Sequence, residues 1–477
     1  MTETTAITSY PDAKKTERED AITEGVAVLT GDPKRAILKI AGPIMVAMLF
    51  QAVYNLADAV WVAGLGDDAL AAVGFITPIF MIFIGLGSGL GAGVTSAVSR
   101  RIGAGDRAGA DNAAMHGIAV ILVLSAVITP LLFLFTEPLV LALGAGETAR
   151  YAIEYGRIIF AGTVFILFAD ILYALFTAEG NTKRSMYAAA ASAVLNIVLD
   201  PILIYGAGMG IAGAAWATLI SIAAVCVLLL YWFLVRRDTY IAVDWGRFSP
   251  DRRTAMDIFT VGIPASLEFV MMSVAAIVIN GLLVQVSGTD AVAVYTGGWR
   301  IVFFVLIPFI AMSIAVVSVS GAAYGARKYD KLKVAHSFAV QSGTLIGLGL
   351  SLATWFLAPF IAWIFTYSAG SMHLAGGITA FLMTMCFFYP FIAPGMMSAG
   401  VFEGTGRGIF ALAVEFLRNL VFIALFAWVL AVHVGLGETG VWWGIVVGNI
   451  LGSTAGYLWA RFYIARLIAA GKCPETA

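Results

Sequence analysis

Two aspartates, Asp58 and Asp200, stand inside runs that otherwise read as lipid-soluble. The runs are PIMVAMLFQAVYNLADAVWVAGLG (Pro43 to Gly66) and MYAAAASAVLNIVLDPILIYGAG (Met186 to Gly208). A charge at the centre of a membrane helix costs about 2.5–3.5 kcal/mol even on lenient insertion scales. Acids kept there face a wet cavity or a partner, and they mark ion or substrate paths. Tyr54 precedes Asp58 by four residues and Asn196 precedes Asp200 by four, so each shares a helix face with its aspartate. Pro201 follows Asp200 and frees the Ile197 carbonyl from its helical hydrogen bond. Two carboxylates, the Asn196 amide and the Thr218 hydroxyl would hold a proton or a Na+ ion, and the two acids would titrate as a coupled pair.

The rest of the chain says what must position them. Of 477 residues, 61% are apolar and 12% are charged, with a mean hydropathy of +0.93. Soluble domains are nearer 45–50% and about 25%, so this is a polytopic membrane protein. Runs of about 20 apolar residues predict twelve spans, at 36–65, 70–99, 113–135, 154–178, 186–206, 211–235, 255–286, 291–322, 335–366, 374–400, 409–433 and 440–465. Residues 1–33 are polar, lack the apolar centre of a signal peptide, and read as a mobile cytosolic tail. Cys226, Cys386 and Cys473 have neither disulfide nor zinc spacing.

Of the 28 Lys and Arg residues, 24 fall in the two terminal segments and the loops after even-numbered spans. By the positive-inside rule both termini are cytoplasmic. The chain also repeats itself. DALAAV (Asp68 to Val73) returns as DAVAVY (Asp290 to Tyr295), Pro43 as Pro264, and His116 as His336. AEGNTKR (Ala178 to Arg184) returns as FEGTGRG (Phe402 to Gly408), and GMGIAGAAW (Gly208 to Trp216) as GLGETGVWW (Gly435 to Trp443). An even number of spans per repeat gives two six-helix lobes of the same topology, related by a pseudo-two-fold axis along the membrane normal. The expected organisation is an N-lobe at 34–237, a cytosolic linker at 238–253, a C-lobe at 254–466 and a cytosolic tail at 467–477.

Asp58 and Asp200 each lie six residues before the glycine that ends the span, which puts both about 9 Å below the outer surface. Thr218, seven residues into span 6, comes to about 10 Å by the same rise. Three helices thus offer oxygen ligands at one depth. Gly208-x-Gly210-x-x-Gly213 fits a dinucleotide fingerprint, yet no strand–helix–strand unit surrounds it, so it reads as a tight turn. No Walker A sequence, HExxH or GxSxG motif is found, which argues against an ATP-driven pump or an enzyme.

At these residues a resemblance becomes specific. The Pro43…Gln51-x-x-Tyr54-x-x-x-Asp58 helix, Asn196-x-x-x-Asp200-Pro201, Thr218 and the EGNTKR elbow resemble the multidrug and toxic-compound extrusion (MATE) family, in its DinF-like branch. The resemblance covers roughly residues 34–466. It implies a V-shaped pair of lobes, and export of drug-like cationic or amphipathic compounds in exchange for H+ or Na+ by alternating access. It further implies a cation site of Asp58, Asn196, Asp200 and Thr218, supported by Tyr54 and Gln51, with Pro43 as a bend point. The NorM-like branch carries a C-lobe site with a glutamate and an aspartate. Here Glu268 matches the first, but residues 374–400 hold no acid, so coupling is expected in the N-lobe.

Asp170, Glu268 and Arg300 are further candidates for the substrate cavity. Glu415 and Arg418, three apart, should neutralise each other. His116, His336, Glu179 and Glu403 read as structural, and Trp61 and Trp216 as interfacial anchors. The expected protein is a monomeric plasma-membrane antiporter that needs no cofactor and binds no nucleic acid. The rival readings are a lipid-linked oligosaccharide flippase, which would need a strongly basic cavity, and a channel.

Overall fold

The computed structural model describes residues 22–366 and 372–472. Residues 1–21 and 473–477, with Cys473, lie outside that range. The first helix, α1 (Glu24–Thr30), falls inside the segment read from sequence as a tail. It exists because Gly25 packs against the Glu179 carbonyl and because Lys331 donates to the Thr30 and Gly31 carbonyls, both at 2.7 Å. Its partners are distant in sequence, so local composition did not announce it.

The first lobe comprises α2 (Pro33–Ala63), α3 (Asp67–Gly103), α4 (Arg107–Ala142), α5 (Ala149–Ala161), α6 (Thr163–Ala178), α7 (Thr182–Pro201) and α8 (Ile211–Leu230). The second comprises α9 (Arg252–Ser287), α10 (Thr289–Gly325), α11 (Tyr329–Phe365), α12 (Ala375–Met385), α13 (Tyr389–Gly404), α14 (Gly408–Phe416), α15 (Ile423–Trp428) and α16 (Gly437–Lys472). Both lobes open on an aspartate cap. Asp32 accepts from Lys34 N–H, and Asp251 from Arg253 and Thr254 N–H.

Helices α5 and α6 make one span bent by 46° at Gly162, and α12 and α13 one bent by 57° before Pro390. The two kinks occupy equivalent places in the repeat. Counting each bent pair once, eleven spans are long and apolar enough to cross a membrane among the described residues. Helix α16, 36 residues long, coincides with the twelfth predicted span. The fold is therefore all-α, with twelve transmembrane helices in two six-helix lobes.

The lobes meet on a pseudo-two-fold axis at the end that carries both described termini. The place a Cβ would take on Gly103 is filled by the Ala322 carbonyl, and that on Gly325 by the Arg100 carbonyl. Each pair is the other displaced by 222 residues, as in a self-complementary interface. Ser96 donates to the Glu403 carbonyl, and Ser318 to the Thr177 carbonyl at 2.8 Å. Arg101 pairs with Asp257 at 3.2 Å and bonds Thr254. Along α3 and α9 the contact continues through Gly93–Gly262 and Gly89–Ser266 to Gly85–Phe269. Beyond it Met81, Ile82, Met272 and Val274 are exposed. The lobes are joined at the terminal end and part toward the distal end.

The linker is tied down along its length. Glu179 accepts from Tyr240 and Ile241 N–H, Asp111 from Ala242, Asn112 from Ser249, and His116 Nε2 from Asp251. Gly208 and Gly210, at φ +67° and +56°, turn the chain between α7 and α8, so the fingerprint is a turn.

Candidate functional site

Helices α2 and α7 run side by side in the same direction, and two hydrogen bonds fix their register. At the terminal end Thr182 Oγ1 donates to the Ile40 carbonyl at 3.0 Å; at the distal end the Tyr205 hydroxyl donates to the Trp61 carbonyl at 2.6 Å. Asp58 lies 18 residues beyond Ile40, and Asp200 18 beyond Thr182. Equal rise brings them level, about 27 Å along each helix. Asp200 is fully buried and within electrostatic reach of Asp58. Just past Asp200 the helix widens into a π turn, Ile202–Gly206, a distortion that recurs at functional sites.

Around the pair the polar groups are under-satisfied. Asn196 Nδ2 reaches Asp200 Oδ1 at 3.5 Å, a long contact. Asp58 Oδ1, Asn196 Oδ1 and Asp200 Oδ2 are sealed from solvent with no donor. Buried acceptors normally have a partner, so three orphans in one place are a fitting host for a proton or a small cation. Above them a narrow cleft of ≈ 70 Å³ is lined by Tyr54, Asp58, Thr77, Tyr155 and Thr218, with Asn55, Val73, Ile76, Phe80 and Ile159. Among the described residues no group of three or more His, Cys, Asp or Glu is spaced to hold a metal; the donor set here is mixed carboxylate, amide and hydroxyl.

Of the residues singled out from sequence, the structure brings together Asp58, Asp200, Asn196, Thr218 and Tyr54. Gln51 is exposed and bonds the Tyr54 side chain. Pro43 lies within α2, fifteen residues before Asp58 and well below the cleft. Asp170 lies off the cleft lining, on α6 against α3. Glu268 and Arg300 belong to the second lobe; Arg300 is exposed, and Glu268 keeps one buried, unpartnered carboxylate oxygen. Arg418 and Glu415 do pair, and Asn419 donates to the same carboxylate oxygen at 2.9 Å.

Tyr155 was missed. It is buried against Asp58, Tyr54 and Asp200. The signal existed: counted from the true start of α5 at Ala149, Tyr155 is six residues in, the depth of the aspartates. The span was predicted to begin at 154, which put Tyr155 at the surface.

The MatE family profile matches residues 43–202 and 264–429, one repeat in each lobe. This chain belongs to the MatE family. It is similar to the multidrug export protein MepA of Staphylococcus aureus, 26% identical over 426 residues covering 89% of this chain and 92% of that protein. Its fold matches a structure described as the outward-facing conformation of a multidrug resistance MATE family transporter of the MOP superfamily. That match has a TM-score of 0.91 and 40% identity over 94% of this chain and 100% of the other. An equally similar structure is a MOP superfamily transporter from Pyrococcus furiosus whose binding pocket is described as of reverse polarity, suggesting a different function. As a MATE protein the chain is a multi-pass secondary transporter and not an enzyme.

Proposed function

We propose that this MATE protein is an H+- or Na+-coupled antiporter that exports small cationic or amphipathic organic compounds across the plasma membrane as a monomer. Both termini are cytoplasmic in this reading, so the lobes are closed toward the cytoplasm and the cleft faces out. The observation that carries it is the level pair Asp58 and Asp200 with three orphaned buried oxygens beneath an open cleft. Asp58, Asp200, Asn196 and Thr218 bind the coupling cation, and Tyr54 and Tyr155 border the acids. An entering cation gains about 2.3 kcal/mol per charge and 100 mV of membrane potential, and the protein spends that gain on expelling its solute.

The flippase reading needs a basic cavity for a pyrophosphate. Arg418 is committed to Glu415, and Arg300 by itself is thin support for a pyrophosphate site. The test is efflux of a fluorescent organic cation from proteoliposomes under a pH gradient and, separately, a Na+ gradient. Asp58→Asn and Asp200→Asn should each abolish gradient-driven efflux. Normal transport by both variants would make the pair structural glue.

A further inference from the structure

The first lobe holds a third acid that the cleft does not use. Asp170, on α6, turns its side chain against α3, where Gly87 has no Cβ. The Asp170 Oδ2 atom occupies the space that Cβ would fill, and an alanine there would collide with it. Oδ2 is sealed from solvent and receives no hydrogen bond, while the residue as a whole keeps partial exposure. No ion pair to Asp170 exists among the described residues. The titratable groups within its electrostatic reach are Tyr54 on α2, Tyr173 on α6 and Cys226 on α8, and α3 meets it at Gly87. None of these is cationic. A permanently ionised carboxylate here would be an unpaired charge within the bilayer, and a merely structural one would have a donor.

Position gives the site a direction. Gly87 is ten residues beyond cleft-lining Thr77 on α3, about 15 Å deeper toward the terminal end. Tyr54 lies one helical turn inward of Asp58. It lines the cleft and sits in the field of Asp58, Asp200 and Asp170 together. Its phenol lies within electrostatic reach of both the outer pair and the inner acid.

We infer that Asp170 is an inner proton-binding site, loaded from the Asp58–Asp200 pocket past Tyr54, that carries the coupling proton on its inward leg. The transfer balances. A carboxylic acid of the outer pair gives its proton toward the Tyr54 hydroxyl as that hydroxyl releases one into a file of water, whose far end gives one to Asp170. Tyr54 ends neutral, Asp170 ends protonated, and one outer carboxylate is left free for the next cation. This inference rests on the proposed cation site and adds proton, rather than Na+, as the passenger of the inner step.

The experiment uses the full-length protein in proteoliposomes with a trapped pH dye and a fluorescent organic cation as substrate. Asp58→Asn and Asp200→Asn are run in parallel. Asp170→Asn should keep its affinity for the organic cation within about twofold and lose at least tenfold of pH-driven efflux and of the proton flux that accompanies it. Wild-type efflux by Asp170→Asn, with the two outer variants inactive, overturns the inner site and leaves the outer one standing. Wild-type efflux by all three overturns both. A tenfold loss of substrate affinity with proton flux per substrate unchanged makes Asp170 a substrate contact and also overturns the inference. If Asp170→Asn does not fold, Asp170→Ser decides: proton flux slowed at least tenfold at unchanged affinity is expected, and unslowed flux overturns the inner site.

Discussion

In the first lobe Asp58, Asp170 and Asp200 have no cationic side chain paired with them among the described residues, whereas in the second lobe Glu415 is held by Arg418 and Asn419. Glu268 and Glu403 lie within the field of the same Glu415 carboxylate, and Glu268 also within that of Arg418. The lobes share a topology and a sequence repeat, yet one keeps its buried acids available and the other partly neutralises them from within. A fixed guanidinium occupies the electrostatic position that a mobile cation would take. The contrast supports the proposed reading, in which the first lobe couples to the cation and the second contacts substrate.

The strongest test of that contrast exchanges neutral amides for acids in each lobe. Asp200→Asn should lower pH- or Na+-driven efflux by at least 100-fold, which is about 2.8 kcal/mol or more at about 1.4 kcal/mol per decade. Glu268→Gln should change the apparent affinity for substrate by several-fold while the ion-to-substrate ratio stays constant. Loss of coupling in Glu268→Gln would break the comparison.

The second prediction concerns stability. The Glu415 and Arg418 side chains keep 10% and 13% exposure. Removing one partner of a buried pair leaves an uncompensated charge and costs about 3–5 kcal/mol. Glu415→Gln should therefore lower the melting temperature in detergent, and adding Arg418→Met should restore most of it. Equal melting of the single and double variants would show that Arg418 does not depend on Glu415.

A third prediction addresses the seam. A Cβ on Gly103 would meet backbone, the Ala322 carbonyl, which cannot rotate away. Overpacking costs about 1–3 kcal/mol, so Gly103→Ala should shift the population away from the state closed at the terminal end. Distances between spin labels on the two lobes at that end should lengthen; unchanged distances would mean the seam has slack.

The smallest effect concerns pH. Burial pushes the Glu179 carboxyl, at the elbow outside the membrane spans, up to about 7, against the N–H donors of Tyr240 and Ile241 that favour its charged form. The folded state then holds a proton that the unfolded chain releases near 4.5. The stabilisation is complete below that value and is lost as pH rises through about 7. Glu179→Gln should flatten the fall in melting temperature between pH 5 and 8, and an unchanged slope would assign it to another group.

Much of the architecture was legible because hydropathy acts locally. The predicted spans meet the observed helices to within a few residues at most ends, and the repeat showed in matched segments. The site was legible where a polar residue broke an apolar run, as with Asp58 and Asp200. It was not legible where the run itself was misjudged: the late start given to span 4 hid Tyr155, and α1 went unread because α6 and α11 hold it. His116 and His336 looked equivalent, yet His116 uses both ring nitrogens, on Asn112 and Asp251, while His336 bonds Ser398 and leaves Nδ1 without a partner. Side chains supplied by other helices made that difference.

By itself the sequence determined a twelve-span, two-lobed membrane protein with acids at defined depths, because bilayer thickness and helical rise convert residue counts into positions. Only the tertiary structure decided which acids face one another, that Gly87 leaves a notch for Asp170, and that the second lobe meets its own charge with Arg418. Those outcomes depend on which helix faces are packed together, and no single helix encodes its neighbour.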